Sequence, residues 1–233
     1  MYSIFVFLAM DVSIVILTLN EYEGVKEILP RIQDEWANEI LFVDGGSTDG
    51  TVEFARESGY QVVQQSKPGR GNAFREGLAK TSGDIIVFFS PDGNEVPEDI
   101  PKLVDRVKDG YDMAIASRFA SGAETDDATP LHWFGNRLFT VTINSLFGGS
   151  LMDAVNGFRA IRRDCMESID TDADHFDIEV QMTMRALNDG YSICEIPTHE
   201  PERIGGEPEL STFIDGMRLM RTILREYHTT KLR

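Results

Sequence analysis

Asp92 and Asn94 offer a carboxylate and an amide close behind the apolar run of residues 85–89. A run of β-branched and aromatic residues predicts a strand buried on both faces, and the Pro and Gly that follow it predict where the strand ends. Oxygen ligands at the carboxyl end of a strand can hold a hard divalent cation against a phosphorylated ligand. They can equally form a local turn in which they bond only to the backbone. These residues alone leave both interpretations open.

Similar polar clusters follow the other three strands that we predict in the first hundred residues. The strands span residues 12–17, 39–43 and 61–64, and the clusters after them are Thr18 to Glu21, Asp44 to Asp49 and Lys67 to Gly71. Because helical runs alternate with these strands, we expect a mostly parallel sheet with right-handed crossovers. The carboxyl ends of parallel strands lie at one edge of a sheet, so all four clusters can converge there.

Two of these clusters have side chains that suit a nucleotide. Asp44 follows its strand at once and can accept hydrogen bonds from a ribose or a base. Lys67 and Arg70 stand beside glycines, and two basic residues in an otherwise acidic chain suit contact with an anion. A solvated loop before an ordinary helix accounts for the same residues. The turn after Asp44 has neither the glycine spacing of a dinucleotide fold nor that of a P-loop.

The composition limits the partners of the chain. Its 233 residues suffice for one α/β domain with a full core, and no Gly- or Ser-rich linker divides it. The 39 acidic against 22 basic residues give a formal charge of −17, which repels nucleic acid and anionic lipid over most of the surface. Neither Cys165 nor Cys194 has metal-ligand spacing, which predicts a reducing compartment and no zinc site. We interpret residues 1–9, which are apolar but too short to span a bilayer, as an extended start.

The order of the motifs resembles a known family. Ile-Leu-Thr-Leu-Asn-Glu, Val-Asp-Gly-Gly-Ser-Thr-Asp-Gly-Thr, Lys-Pro-Gly-Arg-Gly-Asn and Phe-Ser-Pro-Asp-Gly-Asn follow one another as in the nucleotide-binding half of the family-2 inverting glycosyltransferases. Within that family the chain is most similar to the dolichyl- or polyprenyl-phosphate sugar synthases. The resemblance implies a single α/β domain of GT-A fold over residues 1–233. It also implies transfer of a hexose from a nucleotide-diphosphate sugar to a polyprenyl (dolichyl) phosphate, with inversion.

The resemblance also implies a set of residues for the donor. Those that match nucleotide-binding positions are Thr18, Asn20, Glu21, Asp44, Lys67, Gly71 and Arg203. Asp92 and Asn94 match ligands of Mg²⁺ or Mn²⁺. The chain departs from the family at two places, since Ser90 stands where the first acid of the metal motif is expected and Pro208-Glu209 stand where Ser-Lys is usual. Both departures weaken the expected donor site, so a catalytically weakened nucleotide-sugar-binding homologue remains an alternative.

On the acceptor side, Arg118 and Arg137 match residues near the acceptor phosphate, and Asp153 matches an acid at the sugar end of the site. We therefore expect Asp92, Asp153, Arg118 and Arg137 to be the catalytic residues. With a sugar hydroxyl as acceptor, which is a second alternative, Asp153 would have to be a general base. A phosphate acceptor is already ionised, and Asp153 would then only orient it. A helix cap or a salt bridge explains Asp153 equally simply.

The remaining segments concern the lipid. Residues 211–233 predict an amphipathic helix with Met217 and Leu224 on its apolar face and Arg218, Arg221 and Arg225 beside them. Such a helix suits a membrane interface, although packing on the sheet is an alternative. Residues 120–130 can be an acceptor loop or a plain surface loop, and the apolar helix of residues 138–147 can line a lipid track or belong to the core. We expect the protein in the cytoplasm, peripheral at the inner face of the cell membrane, with no nucleic-acid partner.

Overall fold

The computed structural model describes residues 10–127, 129–204 and 212–231. The strands are β1 (Val12–Thr18), β2 (Glu39–Asp44), β3 (Gln61–Gln64), β4 (Ile85–Phe89), β5 (Met113–Ser117), β6 (Glu124–Thr125), β7 (Arg159–Arg162), β8 (Ile193–Pro197) and β9 (His199–Glu200). The helices are α1 (Tyr22–Ile28), α2 (Thr51–Glu57), α3 (Arg70–Lys80), α4 (Ile100–Lys108), α5 (Pro130–Phe147), α6 (Arg163–Ser168), α7 (Asp177–Asn188) and α8 (Thr212–Lys231). The extended start at residues 1–9 and the Pro208-Glu209 departure lie outside the described residues.

Seven strands form one sheet in the order β3-β2-β1-β4-β7-β5-β8. All neighbours run parallel except β7, which is antiparallel to both β4 and β5. The register places Thr18 beside Asp44, and Asp44 beside Gln64, so the first three strands end level with one another. The prediction of a mostly parallel α/β sheet is confirmed. The polar clusters after these strands begin at the same edge of the sheet.

The sheet is buried on both faces, as the apolar runs predict. Along β4, Ile86 and Phe88 face one core, whereas Ile85, Val87 and Phe89 face the other. The Phe74 ring of α3 stacks on Phe88 with a centroid distance of 4.2 Å. Each such side chain contributes about 1.5–3 kcal/mol when it is fully buried. This double core fixes the strand ends, and therefore the loops that follow them.

The C-terminal helix α8 packs on α7 and α5 rather than on the sheet. Its contact face contains the buried side chains of Leu219 and Ile223. Met217 and Leu224, from the predicted apolar face, are 54 % and 49 % exposed. One stripe of the helix therefore packs on α7 and α5 and a second apolar stripe remains uncovered, while contact with a membrane interface stays a prediction. Within the described residues, no helix combines the length and the apolar character that crossing a membrane requires.

Candidate functional site

A cavity of about 730 Å³ opens at the edge of the sheet where the parallel strands end. It is lined by the loops after β1, β4 and β5, by the start of α3, by residues 155–158 and by parts of α5 and α8. The predicted site residues that line it are Thr18, Glu21, Asp92, Asn94, Arg118 and Arg203. The structure therefore brings together six predicted residues from four separate segments. Asn20, Asp44, Lys67, Gly71, Arg137 and Asp153 are not part of this lining.

We call the part of the cavity that contains Arg203, Glu21 and Asp92 the donor end, after the role predicted for these residues. Arg203 connects the charged groups there. Its guanidinium forms ion pairs with the carboxylates of Glu21 and Asp92, and Nη1 lies 3.0 Å from Oδ2 of Asp92. The other oxygen of Asp92 accepts a hydrogen bond from the Asn94 amide at 3.0 Å, so the predicted local turn is present as well. Burial raises the pKa of Asp92, and the charge of Arg203 offsets only part of that rise. The ion pairs join three loops that are remote in sequence.

Asp44 shapes a loop instead of facing the cavity. Its carboxylate is fully buried and accepts hydrogen bonds from the amides of Gly46 and Ser47 at 2.8 and 2.9 Å, and from the Thr18 hydroxyl at 3.2 Å. Asn20 acts similarly, since its side-chain oxygen accepts from the Thr48 amide at 2.9 Å. In this structure both side chains hold the loops after β1 and β2 in shape, and the contact of Asp44 with a ribose or base stays a prediction.

The basic residue that reaches the cavity from the α3 loop is Arg70, not Lys67. Lys67 is exposed, and Gln65 and Asn72 donate hydrogen bonds to its backbone carbonyl. Gly71 lies against another loop, where an added Cβ would be 1.9 Å from the carbonyl oxygen of Ala173. A glycine is required there for backbone contact, and its predicted place beside the nucleotide stays a prediction. The sequence shows both basic residues, but the loop conformation decides which one points inward.

Glu95 is a cavity residue that sequence reasoning missed. Its Oε2 accepts a hydrogen bond from the Ser90 amide at 2.7 Å. Burial and the nearby Asp92 raise the pKa of Glu95 well above its usual value. The available signal was an acid three residues after Asp92, to which we assigned no role. Glu95 brings a second carboxyl group close to Asp92 although Ser90 has none.

The donor end fits a divalent cation only in part. Asp92, Asn94 and Glu95 supply the oxygen ligands that Mg²⁺ and Mn²⁺ prefer. Within the described parts of the chain, however, no three His, Cys, Asp or Glu side chains converge on a possible metal position. One oxygen of Asp92 also pairs with Arg203. This donor set fits a cation that a diphosphate ligand helps to hold, and not one that the protein holds alone.

At the acceptor end, Arg118 is held by two acids. Its Nε lies 2.7 Å from Oδ2 of Asp153 and its Nη2 lies 3.0 Å from Oδ1, while Nη1 lies 3.1 Å from Glu200. Burial disfavours the charge of Arg118, but the two carboxylates outweigh it and raise its pKa. Asp153 is fully buried and both of its oxygens face Arg118. Its position therefore suits orientation of Arg118 and not proton transfer to a substrate.

Arg137 and Arg159 donate hydrogen bonds to backbone carbonyls near the acceptor end. Arg137 donates to the Met152 carbonyl at 2.9 Å and lies 6.0 Å from the Phe119 ring, so it stands outside the lining where we predicted a phosphate contact. Arg159 is fully buried and donates to the carbonyls of Glu179 and Asn156. Burial lowers the pKa of Arg159 to about 10. Together these contacts fix residues 155–158, which form one wall of the cavity.

The far end of the cavity lies between two helices and presents apolar side chains beside His132, Asn136 and Asp215; we call it the apolar end. Leu131 and Phe139 of α5 and Leu219 of α8 line it, and the Phe139 ring passes close to Gly216. Each helix also carries an exposed apolar stripe, which consists of Leu131, Phe134, Leu138 and Val141 on α5 and of Ile214, Met217 and Leu224 on α8. Asp127 and Thr129 of the predicted acceptor loop also line the cavity. The cavity therefore runs from a charged end to an apolar end.

A parallel α/β sheet with a charged cavity at its carboxyl edge defines a class of ligand-binding enzymes, and comparison with known proteins identifies the family. Residues 13–170 match the glycosyl transferase family 2 pattern. A dolichyl-phosphate hexose transferase of Haloferax volcanii is 31% identical over 226 residues, 96% of each chain. A polyprenol monophosphomannose synthase of Mycolicibacterium smegmatis is 32% identical over 217 residues, 85% of this chain and 80% of its own. The chain belongs to glycosyl transferase family 2.

Solved structures support the same fold. Glucosyl-3-phosphoglycerate synthase of Mycobacterium tuberculosis, crystallised with Mn²⁺, UDP and phosphoglyceric acid, superposes with a TM-score of 0.76 at 22% identity. The match covers 94% of this chain and 79% of that one. At this identity the likeness shows the GT-A fold alone. The predictions of family, of fold class and of a glycosyltransferase enzyme are confirmed.

Proposed function

We propose that the protein transfers a hexose from a nucleotide-diphosphate sugar to a polyprenyl (dolichyl) phosphate with inversion. The observation that carries this proposal is the position of Arg118. Its guanidinium lines the cavity that joins a charged end to an apolar end. A lipid phosphate needs both environments, because its head is anionic and its chain is apolar. The relatives named as dolichyl-phosphate and polyprenol-phosphate enzymes support the same acceptor class.

The geometry around Asp153 favours a phosphate acceptor over a sugar hydroxyl. A hydroxyl requires a base within hydrogen-bond reach, and Asp153 is fully buried and engaged by Arg118. An ionised phosphate can attack the anomeric carbon without losing a proton. In this mechanism Arg118 orients the phosphate for in-line attack, while Asp153 and Glu200 orient Arg118.

At the donor end, Arg203 offers positive charge to the leaving diphosphate. Glu21 and Asp92 hold its guanidinium at the cavity surface. Asp92 and Asn94, the metal ligands that we predicted, would hold Mg²⁺ or Mn²⁺ together with the diphosphate. Either cation, when bound, stabilises the negative charge that develops on the leaving group. Glu95 lies within the same loop and can contribute a further oxygen.

We further propose that the protein binds the inner face of the cell membrane peripherally. The exposed stripes on α5 and α8 are continuous with the apolar end of the cavity, since Leu131 belongs to both. Burying such side chains in the interfacial region of a bilayer is favourable, and the cavity would then open toward the lipid. A charged nucleotide sugar does not cross the bilayer unaided, which places the reaction on the cytoplasmic side.

The test is transfer of radiolabelled sugar into an organic-soluble, acid-labile product. UDP-, GDP- and dTDP-sugars are offered with Mg²⁺ or Mn²⁺ in high salt, and the acceptor is polyprenyl phosphate in vesicles. The matched control is the free polyprenol, which lacks the phosphate and should take up no label. Failure with every donor and both metals would overturn the proposal. Nucleotide binding without any transfer would instead favour the weakened, nucleotide-sugar-binding homologue, which the Ser90 departure motivates.

A further inference from the structure

Arg70 is a charged residue that lines the cavity, and only part of its guanidinium donates hydrogen bonds to residues that the structure describes. Its Nε lies 2.6 Å from Oε1 of Glu179, and its Nη1 donates to the Ser90 hydroxyl at 3.1 Å. The rings of Phe74 and Phe176 lie 5.5 and 5.2 Å from the guanidinium carbon. Within the described chain Nη2 donates no hydrogen bond, although Arg70 lines the cavity. Two N–H groups of a fixed guanidinium are therefore available to a ligand.

The surroundings fix both the position and the charge of Arg70. Burial disfavours the charged form, but Glu179 and Glu95 outweigh it, so the pKa of Arg70 is raised. Gly157 leaves room for the ion pair, because a Cβ at this position would lie 2.2 Å from Oε1 of Glu179 and 2.6 Å from Nη2 of Arg70. The guanidinium is thus a permanent cation held at one point of the cavity wall.

Ser90 leaves that cation available. An acid at position 90, as in the Asp-x-Asp motif that the family resemblance implies, would meet Nη1 of Arg70 and form a second ion pair. The Ser90 hydroxyl accepts the same hydrogen bond without a negative charge. With Ser90 the chain lacks a carboxylate that would help to hold a metal ion, and the neighbouring guanidinium keeps charge for an anion.

We propose that Arg70 is a donor-binding residue that contacts the diphosphate of the nucleotide sugar, and that Ser90, which adds no second carboxylate, leaves part of its guanidinium available for this contact. The inference rests on the proposed function and adds a residue and a property to it. The guanidinium is planar and offers paired donors that match phosphate oxygens. Because a guanidinium supplies part of the positive charge, nucleoside diphosphate binding depends less on a divalent cation here than in a site with an acid at position 90.

The experiment measures binding and not turnover. Calorimetric titrations with UDP, GDP and dTDP are run in EDTA and in Mn²⁺, and the matching nucleoside is followed by ligand-observed NMR. In EDTA, Arg70→Met should weaken the nucleoside diphosphate about tenfold, the effect of losing one charge-assisted contact. Nucleoside affinity should not change, because the nucleoside has no phosphate. Arg70→Lys should retain part of the affinity, since it keeps the charge but not the paired geometry.

Two further variants sharpen the outcome. Ser90→Asp should weaken metal-free binding, because the introduced carboxylate pairs with Arg70, and should increase the enhancement by Mn²⁺. Arg75→Met is the matched control, since Arg75 lies on the same helix but pairs with Asp174 outside the cavity. Arg70→Met binding like the wild type, or losing nucleoside and diphosphate affinity equally, would overturn this inference alone. If wild-type protein bound none of the three nucleotides under either condition, the proposed function would fail with it.

Discussion

The two ends of the cavity are built by different parts of the fold. At the donor end, loops after β1 and β4 and the start of α3 present charged groups, and each guanidinium there pairs with a carboxylate. At the acceptor end, α5 and α8 present apolar side chains, and Arg118 stands at the boundary. Strand ends supply loops with free backbone groups and polar residues, whereas packed helices supply apolar faces. The architecture thus separates the proposed nucleotide site from the proposed lipid site.

This division implies that the two ends can be damaged separately. Arg203 and Arg70 face the donor end, and they pair with acids from the donor loops and from α7. Arg118 pairs instead with Asp153 and Glu200. Between the two groups, the charge of Glu200 affects the pKa of Asp92 less than the charge of Arg203 does. We therefore expect variants at one end to spare the binding function of the other.

The largest effect is expected for Arg118→Met. Removing the charge that orients the acceptor phosphate should reduce transfer to polyprenyl phosphate by about 10²–10³-fold. The thermal shift produced by a nucleoside diphosphate should remain as in the wild type, because the donor end is unchanged. Both quantities can be measured on one preparation.

The matched variant at the other end is Arg203→Met, which leaves the carboxylates of Glu21 and Asp92 without their cation. It should lose both the thermal shift and transfer. Arg118→Lys should recover part of the transfer, which guards against misfolding around the buried Asp153. If Arg118→Met lost nucleotide binding as completely as Arg203→Met, the separation of the two ends would be disproved.

An effect of intermediate size is expected for a substitution in the contact between α8 and α7. Glu226 is 5 % exposed and accepts hydrogen bonds from Gln181 at 2.7 Å and from Arg185 at 2.9 Å. Burial would raise the pKa of Glu226, but these donors outweigh it and lower the pKa below 4.5. Glu226→Gln should reduce the free energy of unfolding at pH 7 by about 2 kcal/mol. Urea unfolding measures this difference.

The direction in which this stability difference changes with pH follows from the lowered pKa of Glu226. Because the folded-state pKa of Glu226 is lowered, its contribution is complete above the unfolded-state pKa of about 4.3 and is lost as the pH falls through the folded-state value. The difference in the free energy of unfolding between the wild type and Glu226→Gln should therefore decrease below pH 4. Glu57→Gln, at an exposed acid on α2, is the control. It should change neither the free energy of unfolding at pH 7 nor its dependence on pH appreciably. A gap that stayed constant down to pH 3 would contradict this assignment.

The sequence was sufficient for the architecture because its evidence is local. Apolar runs, the turn residues after them and the alternation of strands with helices determine a parallel sheet and the edge where polar residues gather. The departure at Ser90 was visible for the same reason. The orientation of side chains within that edge was not visible. Arg70 points inward because it pairs with Glu179, which is 109 residues away in the chain.

The same reason explains the other corrections. Asp153 lies behind Arg118 because of a contact 35 residues distant, and no motif shows which of two partners faces a cavity. The predicted face of α8 contained Met217 and Leu224, whereas the packed face contains Leu219 and Ile223. Both stripes are apolar, so periodicity indicates an amphipathic helix but not which stripe meets α7. Packing against α7 determines which stripe is buried.

The smallest effect concerns the exposed stripes on α5 and α8. Phe134 and Met217 are 61 % and 54 % exposed, so replacing both with Ser should leave thermal stability nearly unchanged. If these stripes contact lipid, the double variant should bind neutral vesicles that contain polyprenyl phosphate about tenfold more weakly in a sedimentation assay. Tyr111→Ser, at an exposed aromatic residue outside both helices, should bind as the wild type does. Equal binding by all three proteins would limit the apolar end of the cavity to holding a single lipid chain, without membrane contact through the stripes.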